Sequence, residues 1–293
     1  MEANNENATS KWNLYLSLAL IFFVLVFVAP LLLVINIRTT FAADEFIKNL
    51  TIRTEQILKE QKRSERLVTK LLPPVVIERL KEKKEVAFTY DAATVMFCSL
   101  YGFTDIITNF EAMESFKLLN NIFHVLDKTI SFFDVYKVET INDKYMVVSG
   151  VPTPNGNQHA NEIARLSLAF VRKMQEMRDE SSKFPDISAR IGVHSGNTVA
   201  GVVGNKMPRF CLFGDTINLA SRMETNGAPA KIQISSTTKT LLDLTEASSF
   251  ATRARGPVDI KGIGIMETFW LLGRKSDNDF EDLEEDFDGH EYE

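Results

Sequence analysis

Within "VYKVETINDKYMVVSG", residues 135–150, Glu139 stands inside an apolar-rich run. A carboxylate there is unfavourable both for strand propensity and for burial, so its presence asks for a chemical reason. The run reads as a β-hairpin that turns at Asn142-Asp143. Strand alternation then sends Tyr136, Val138 and Thr140 to one face and Lys137, Glu139 and Ile141 to the other. Further on, "GDTINLASRMETNG" opens with an Asp215 cap signal and stops at Asn226-Gly227, the marks of a short helix. Its Asn218 and Arg222 lie four apart and share a helical face, a spacing that a solvated surface would also allow. Cys98 and Cys211 have neither metal-type nor disulfide-type spacing, which suits a reducing compartment. "GVVGNKM" lacks the spacing and the Ser/Thr of a P-loop, and neither G-x-G-x-x-G between a strand and a helix nor HExxH occurs. A nucleotide, if bound, is held by another design.

The elements that must position these residues alternate along positions 86–273. "TVMFCSL" (Thr94 to Leu100) reads as a buried strand. Asp105 to Phe133 carries apolar residues at helical spacing, among them Ile106, Phe110, Met113, Ile122, Leu126 and Ile130. Ile163, Leu166, Phe170, Met174 and Met177 mark a second amphipathic helix. "ISARIGVHSGNTVAGVVG" (Ile187 to Gly204) reads as a second hairpin with Ser195-Gly196-Asn197 as its turn, and "FWLLG" (Phe269 to Gly273) as the closing strand. The pattern predicts an α+β sandwich, helices on a mostly antiparallel sheet.

"WNLYLSLALIFFVLVFVAPLLLVINI", Trp12 to Ile37, holds no charged residue and exceeds the ~20 residues that a helix needs to span a bilayer. Pro30 is placed to kink it, and Trp12 and Tyr15 to sit at one interface. A signal peptide has a shorter apolar core, roughly 7–15 residues, and a more basic start than a single Lys11. A retained single-pass anchor is therefore expected, with cleavage at "TTFAA" (Thr39 to Ala43) the alternative. Arg38, Lys48, Arg53, Lys59, Lys62, Arg63, Arg66 and Lys70 follow the span, so the bulk of the chain is expected in the cytosol with a short N-terminus outside. Residues 44–72 read as helical. Phe46, Leu50, Arg53, Ile57, Glu60, Ser64, Leu67 and Leu71 recur at coiled-coil spacing, but three of the eight are polar, so a weak dimerising stalk and a solvated linker helix both fit. Leu72-Pro73-Pro74 ends the helix. Ser276 to Glu293 holds ten Asp or Glu and no Lys or Arg; removing that −10 from the total of −6 leaves +4 elsewhere. The tail reads as disordered and solubilising. Nucleic-acid binding finds no support, because no basic patch is interleaved with aromatics.

"FCSLYGFTDI", "VYKVETINDKYMVVSGVP", "RIGVHSGNTVAGVVG", "MPRFCLFGDTINLASRMETNG" and "RGPVDIKGIG" occur in this order. Together they resemble the class III nucleotidyl cyclase domain, specifically the guanylate cyclases, over about residues 68–272. In detail they look most like the beta subunit of soluble guanylate cyclase. The resemblance implies a sandwich with a ferredoxin-like core that pairs head to tail, with active sites at the interface. With the apolar span, the helical spacing and the acidic run read above, the chain divides into an N-terminus (1–11), a transmembrane helix (12–37), a stalk (38–72), a catalytic domain (73–275) and an acidic tail (276–293). By that likeness Glu139 accepts the guanine N1–H and N2 amino group and Cys211 faces the guanine carbonyl. Asn218 would orient the ribose. Arg222, whose fork matches phosphate oxygens, would stabilise charge on the α-phosphate. Lys261 and Arg209 would contact phosphates.

The likeness also exposes departures. The family binds two Mg²⁺ or Mn²⁺ ions per site through two Asp, and Ser99 replaces the first while Asp143 keeps the second. Mg²⁺ demands hard oxygen ligands. Ile263 replaces a second lysine near the terminal phosphates. Asn142 replaces a common Gly, and Asn tolerates positive φ. These features imply a membrane-anchored guanylate cyclase subunit that converts GTP to 3′,5′-cyclic GMP and pyrophosphate. It would be the base-recognising half of a heterodimer whose partner supplies the metal carboxylates. The alternative is an inactive, membrane-tethered dimerisation or regulatory module. An adenylyl cyclase is opposed by Glu139 and Cys211.

Overall fold

The computed structural model describes residues 2–69, 71–82, 84, 86–180, 187–204, 206–244 and 250–275. The predicted acidic tail lies outside them. The chain divides into two units, Met1–Lys70 and Leu71–Glu293.

The first unit is helical. Helix α1 (Glu2–Phe23) runs into a π-helical turn (Val24–Val28) and continues as α2 (Ala29–Thr69). The π turn has a sequence cause. Pro30 lacks an N–H, and its ring displaces the carbonyl four residues earlier, at Val26. The apolar side chains from Leu14 to Ile37 are exposed, Val28 alone being half-buried, and the helix is long and apolar enough to cross a membrane by length and composition. Phe46, Leu50, Ile57 and Leu67 of the predicted stalk seam are exposed along α2.

The second unit opens with α3 (Pro74–Lys81), started by a proline pair as N-cap and first residue. Strand β1 (Ala87–Tyr101), helices α4 (Phe103–Asn109) and α5 (Ala112–Ile130), and the hairpin β2 (Tyr136–Ile141) and β3 (Lys144–Ser149) come next. They are followed by α6 (Gln158–Glu180), β4 (Ser188–Val203), β5 (Arg209–Phe213), α7 (Asp215–Thr225), β6 (Ile232–Ser235), α8 (Ser236–Leu244), β7 (Phe250–Ile260) and β8 (Gly264–Arg274). The strands form one sheet in the order β2-β3-β1-β4-β6-β8-β7, with β5 paired to β4. Only the β4–β6 pairing is parallel among these. The expected α+β class is what the fold shows.

Each face of the sheet buries its own cluster. On one, Met96, Cys98, Val147, Ile191 and Ile234 meet Ile122 and Leu126 of α5, Ile163 and Phe170 of α6 and Leu242 of α8. On the other, Val95, Phe97, Met146 and Val148 meet Val76 of α3, Phe210 and Leu212 of β5 and Ala220 of α7. This second face carries the candidate site.

Four local expectations need correction. The helix expected from Asp105 is two helices, because Phe110 and Glu111 are extended; Phe110 and Met113 are exposed rather than core. Residues 187–204 are not a hairpin but the continuous strand β4, paired with β1 from Tyr101↔Ser188 to Ala87↔Gly201. Gly196 is there for close packing rather than for a turn: a Cβ would lie 2.6 Å from Thr216 Oγ1 of α7. Asp215 is the first helical residue and not the cap; Gly214 caps α7 without a side-chain bond. The fourth correction concerns the face on which Glu139 lies, and belongs to the site.

Candidate active site

The hairpin turns at Asn142-Asp143 as expected, with Asn142 at φ +55°. Its strands, however, are one residue out of step. Lys137 pairs with Val147 and Glu139 with Met146, so Val138 is an extra, bulged residue. The bulge reverses the alternation. Glu139 therefore shares the face of Tyr136, Val138 and Met146, against the α7 side of the sheet, and not that of Lys137. Lys137 points to the other face, where its Nζ lies 2.6 Å from Asp127 and 4.5 Å from the centroid of the Tyr145 ring.

On that same side β5 approaches β2. Phe210 packs edge-on against Tyr136, ring centroids 5.7 Å apart. This contact brings Cys211 into the field of Glu139. Burial pushes the Cys211 thiol up, the Glu139 carboxylate pushes it further, and Arg209 partly offsets both. Glu139, Cys211 and Arg209 thus form one neighbourhood. The thiol stays protonated there, a weak donor beside a charged acceptor.

Helix α7 rests on β4 by its Thr216, Ala220, Met223 and Glu224 side and presents Asn218 and Arg222 outward. The seat is tight: a Cβ on Gly192 would lie 1.8 Å from the backbone nitrogen of Glu224. Lys261 is exposed at the β7–β8 turn, beside the exposed Ile263. The structure thus gathers Glu139, Cys211 and Arg209, and places Asn218 with Arg222 on one exposed helix face. Ser99 and Asp143 fall into a different group.

That group is organised by a residue the sequence reading missed. Glu224 is fully buried. Ser99 Oγ donates to its Oε1 at 2.5 Å, Arg190 donates to the same oxygen from Nε at 3.0 Å and from a terminal nitrogen at 2.7 Å, and Lys144 Nζ donates to Oε2 at 2.6 Å. Burial alone would raise the Glu224 pKa. The bonds from Lys144, Ser99 and Arg190 and the Arg190 charge outweigh it and hold the carboxyl below the usual carboxylate range. Cys98, buried on the opposite face, has its thiol raised by burial and then by Glu224 and Asp143; the Asp143 carbonyl accepts from Leu100 N at 3.2 Å, next to Ser99. A signal was present in the sequence: Glu224 falls on the same face of α7 as Ala220, and a carboxylate on a buried stripe needs cationic partners.

The donor set decides whether a divalent cation fits here. Ser99 offers a neutral hydroxyl already donated to Glu224, and both Glu224 oxygens are occupied by protein donors. Asp143 is the one carboxylate left. Among the described residues no group of three or more His, Cys, Asp or Glu is disposed to hold a metal ion. The residues of this chain do not fit the two-ion site that the fold family implies.

Comparison with known proteins joins these observations. Residues 85–273 match the model of the adenylate and guanylate cyclase catalytic domain. The chain is 46% identical over 234 residues to atrial natriuretic peptide receptor 2 of Homo sapiens, covering 80% of this chain and 22% of that protein. It is 42% identical over 233 residues to the receptor-type guanylate cyclase gcy-7 of Caenorhabditis elegans, covering 79% and 21%. It spans about a fifth of the length of these curated relatives. Among solved structures, the guanylate cyclase domain of RhGC from Catenaria anguillulae, in complex with GTP, superposes with a TM-score of 0.58 at 32% identity, covering 64% of this chain and all of that one. The non-canonical dimeric guanylyl cyclase domain of the RhoGC fusion protein from Blastocladiella emersonii gives 0.57 at 33% identity, covering 64% and 99%. With its fold, its motif order and these relatives in agreement, the chain belongs to the adenylate and guanylate cyclase catalytic domain family.

Proposed function

We propose that this chain is a membrane-anchored guanylate cyclase subunit that forms 3′,5′-cyclic GMP and pyrophosphate from GTP, as the base-recognising half of a heterodimer. The observation that carries the reading is that Glu139 lies on the same face of β2 as Tyr136, which packs against Phe210 beside Cys211 on β5, an acceptor suited to the two guanine donors. Asn218 orients the ribose and Arg222 neutralises charge on the α-phosphate, while Arg209 and Lys261 hold the phosphates. The ribose 3′-oxygen attacks the α-phosphorus. The new P–O bond forms as the bridge to the β-phosphate breaks, pyrophosphate leaves with that bridging oxygen, and the 3′-hydroxyl proton passes to solvent. Guanidinium stabilisation matters most as charge builds on the phosphoryl oxygens.

The carboxylates for Mg²⁺ or Mn²⁺ come from the partner domain in this reading, since Ser99 and Asp143 fall short. Residues 12–37, within the helix that runs from α1 into α2, form the single-pass anchor, with the catalytic domain in the cytosol and the N-terminus outside. A solved relative described as GTP-bound supports the substrate, and one described as a non-canonical dimer supports association of such domains. The test is co-expression of this chain with a cyclase domain carrying both metal Asp. Divalent-dependent cyclic GMP synthesis is expected, with loss on Arg222→Ala. Full-rate synthesis by this chain alone refutes the division of labour. A regulatory module without catalysis is the second reading, favoured by Ser99 and Ile263; equal GTP and ATP binding by the paired domains would establish it instead.

A further inference from the structure

Ser99, Lys144 and Arg190 occupy one row across the sheet. Ser99 on β1 lies opposite Lys144 on β3 and opposite Arg190 on β4. All three side chains meet the single carboxylate that α7 lowers onto them. The absence of a side chain at Gly192, where even a methyl group has no room, lets the Glu224 backbone sit this close to the sheet. The four charged side chains here, Asp143, Glu224, Lys144 and Arg190, sum to zero without any added ion.

We propose that the Lys144 ammonium, seated on Glu224 beside Ser99, replaces the divalent cation in this half of the fold, so that this chain's own Ser99–Asp143 cleft is built to work without metal. Three features favour substitution over simple loss of a ligand. With an aspartate removed and no lysine at 144, the buried Glu224 carboxylate would keep Arg190 as its cation and leave Oε2 without its donor. Instead Lys144 stands directly opposite the altered position and ties up the Glu224 oxygen that Ser99 and Arg190 do not use. The Ser99 hydroxyl, a neutral oxygen in place of a carboxylate, donates to the same Glu224. An ammonium at this point also repels a second cation at contact range, which a neutral neighbour would not do. Restoring the aspartate is therefore insufficient to restore an ion; the ammonium must leave as well.

This inference rests on the assignment of Ser99 and Asp143 to the metal half proposed above, but its test needs neither partner nor turnover. The full chain in detergent micelles is titrated with Mn²⁺ alone, followed by electron paramagnetic resonance and by thermal melting. Wild type is expected to titrate like Asp143→Asn, with no Mn²⁺-dependent rise in melting temperature. Ser99→Asp combined with Lys144→Ala is expected to bind Mn²⁺ roughly tenfold or more tightly than wild type and to melt higher as Mn²⁺ is added. Ser99→Asp alone is expected to stay near wild type. Should the aspartate variants fail to fold, Lys144→Ala decides: it is expected to melt several degrees below wild type without metal, because a buried carboxylate loses one of its two cations. Mn²⁺ binding by wild type that Asp143→Asn abolishes overturns the proposal, and so does a Lys144→Ala chain that melts like wild type. Cyclic GMP synthesis by the chain alone would instead count against the heterodimer reading, so the two failures are distinguishable.

Discussion

Replacing Gly192 by alanine asks whether the seat of α7 is what holds the site together. The new Cβ would stand 1.8 Å from Glu224 N and 2.4 Å from both Glu224 Cα and Met223 C, all backbone atoms that no rotamer change can clear. Real Cβ atoms essentially never come closer than 3.0 Å, so the helix must lift by about 1.2 Å. Overpacking of this kind costs about 1–3 kcal/mol, and a rigid backbone neighbour places the change at the upper end, near 3 kcal/mol. For a domain of this size that is a fall of about 6–12 °C in melting temperature. The same lift draws Glu224 away from Lys144 and Arg190 and displaces Asn218 and Arg222, so cyclic GMP synthesis with a partner falls about 100-fold. Circular dichroism melting reads the first effect and product formation the second. Gly256→Ala is the control. Its Cβ meets nothing within 4 Å and only the φ of +98° opposes it, a cost of about 1–2 kcal/mol with no reach into the site. A Gly192→Ala chain melting within two or three degrees of wild type (about 1 kcal/mol) would refute the reasoning.

Glu139→Lys should lower kcat/KM for GTP about 10- to 100-fold in the paired enzyme, the loss of a charge-assisted acceptor, while ATP turnover does not fall in parallel. Equal losses for the two nucleotides would place the base elsewhere. Ile263→Lys adds a cation at the exposed β7–β8 turn and should lower the KM for GTP roughly tenfold with little change in kcat; an unchanged KM would remove that turn from the phosphate site. Burial pushes His194 down to about 4 and lowers His159 as well. Both are neutral in the fold, and the unfolded chain binds their protons near pH 6.5. Between pH 6.5 and 4 the unfolded state therefore holds more protons, and stability is lost as pH falls, by about 3 kcal/mol for His194. Urea midpoints across that window should show a shallower slope in His194→Gln; an identical slope would contradict this account.

The hairpin, the α7 helix and the closing strand were legible because each is marked by local periodicity and by turn residues. Glu139 was legible as an anomaly, but its face was not. A bulge is set by how β2 meets β3, and no residue at 137–139 announces it. Strand β4 was misread for a related reason: Ser195-Gly196-Asn197 has turn composition, yet the glycine serves the approach of Thr216 from another element. Glu224 and Lys144 escaped notice because their meaning is mutual and they stand 80 residues apart. Long-range pairing of charges leaves only a weak trace in a single sequence, an acid on an otherwise buried helical stripe.

The count of residues between Glu139 and the Asn142-Asp143 corner makes the address of its carboxylate a matter of parity. Deleting Thr140 or Ile141 would set Glu139 opposite Tyr145 instead of Met146 and turn the carboxylate through the sheet toward Asp127, whereas deleting the bulged Val138 would leave it where it is. The face that Glu139 takes is thus written partly in backbone length. A graft of Glu139 would carry the letter across but keep its reading frame only if its distance from the corner went with it.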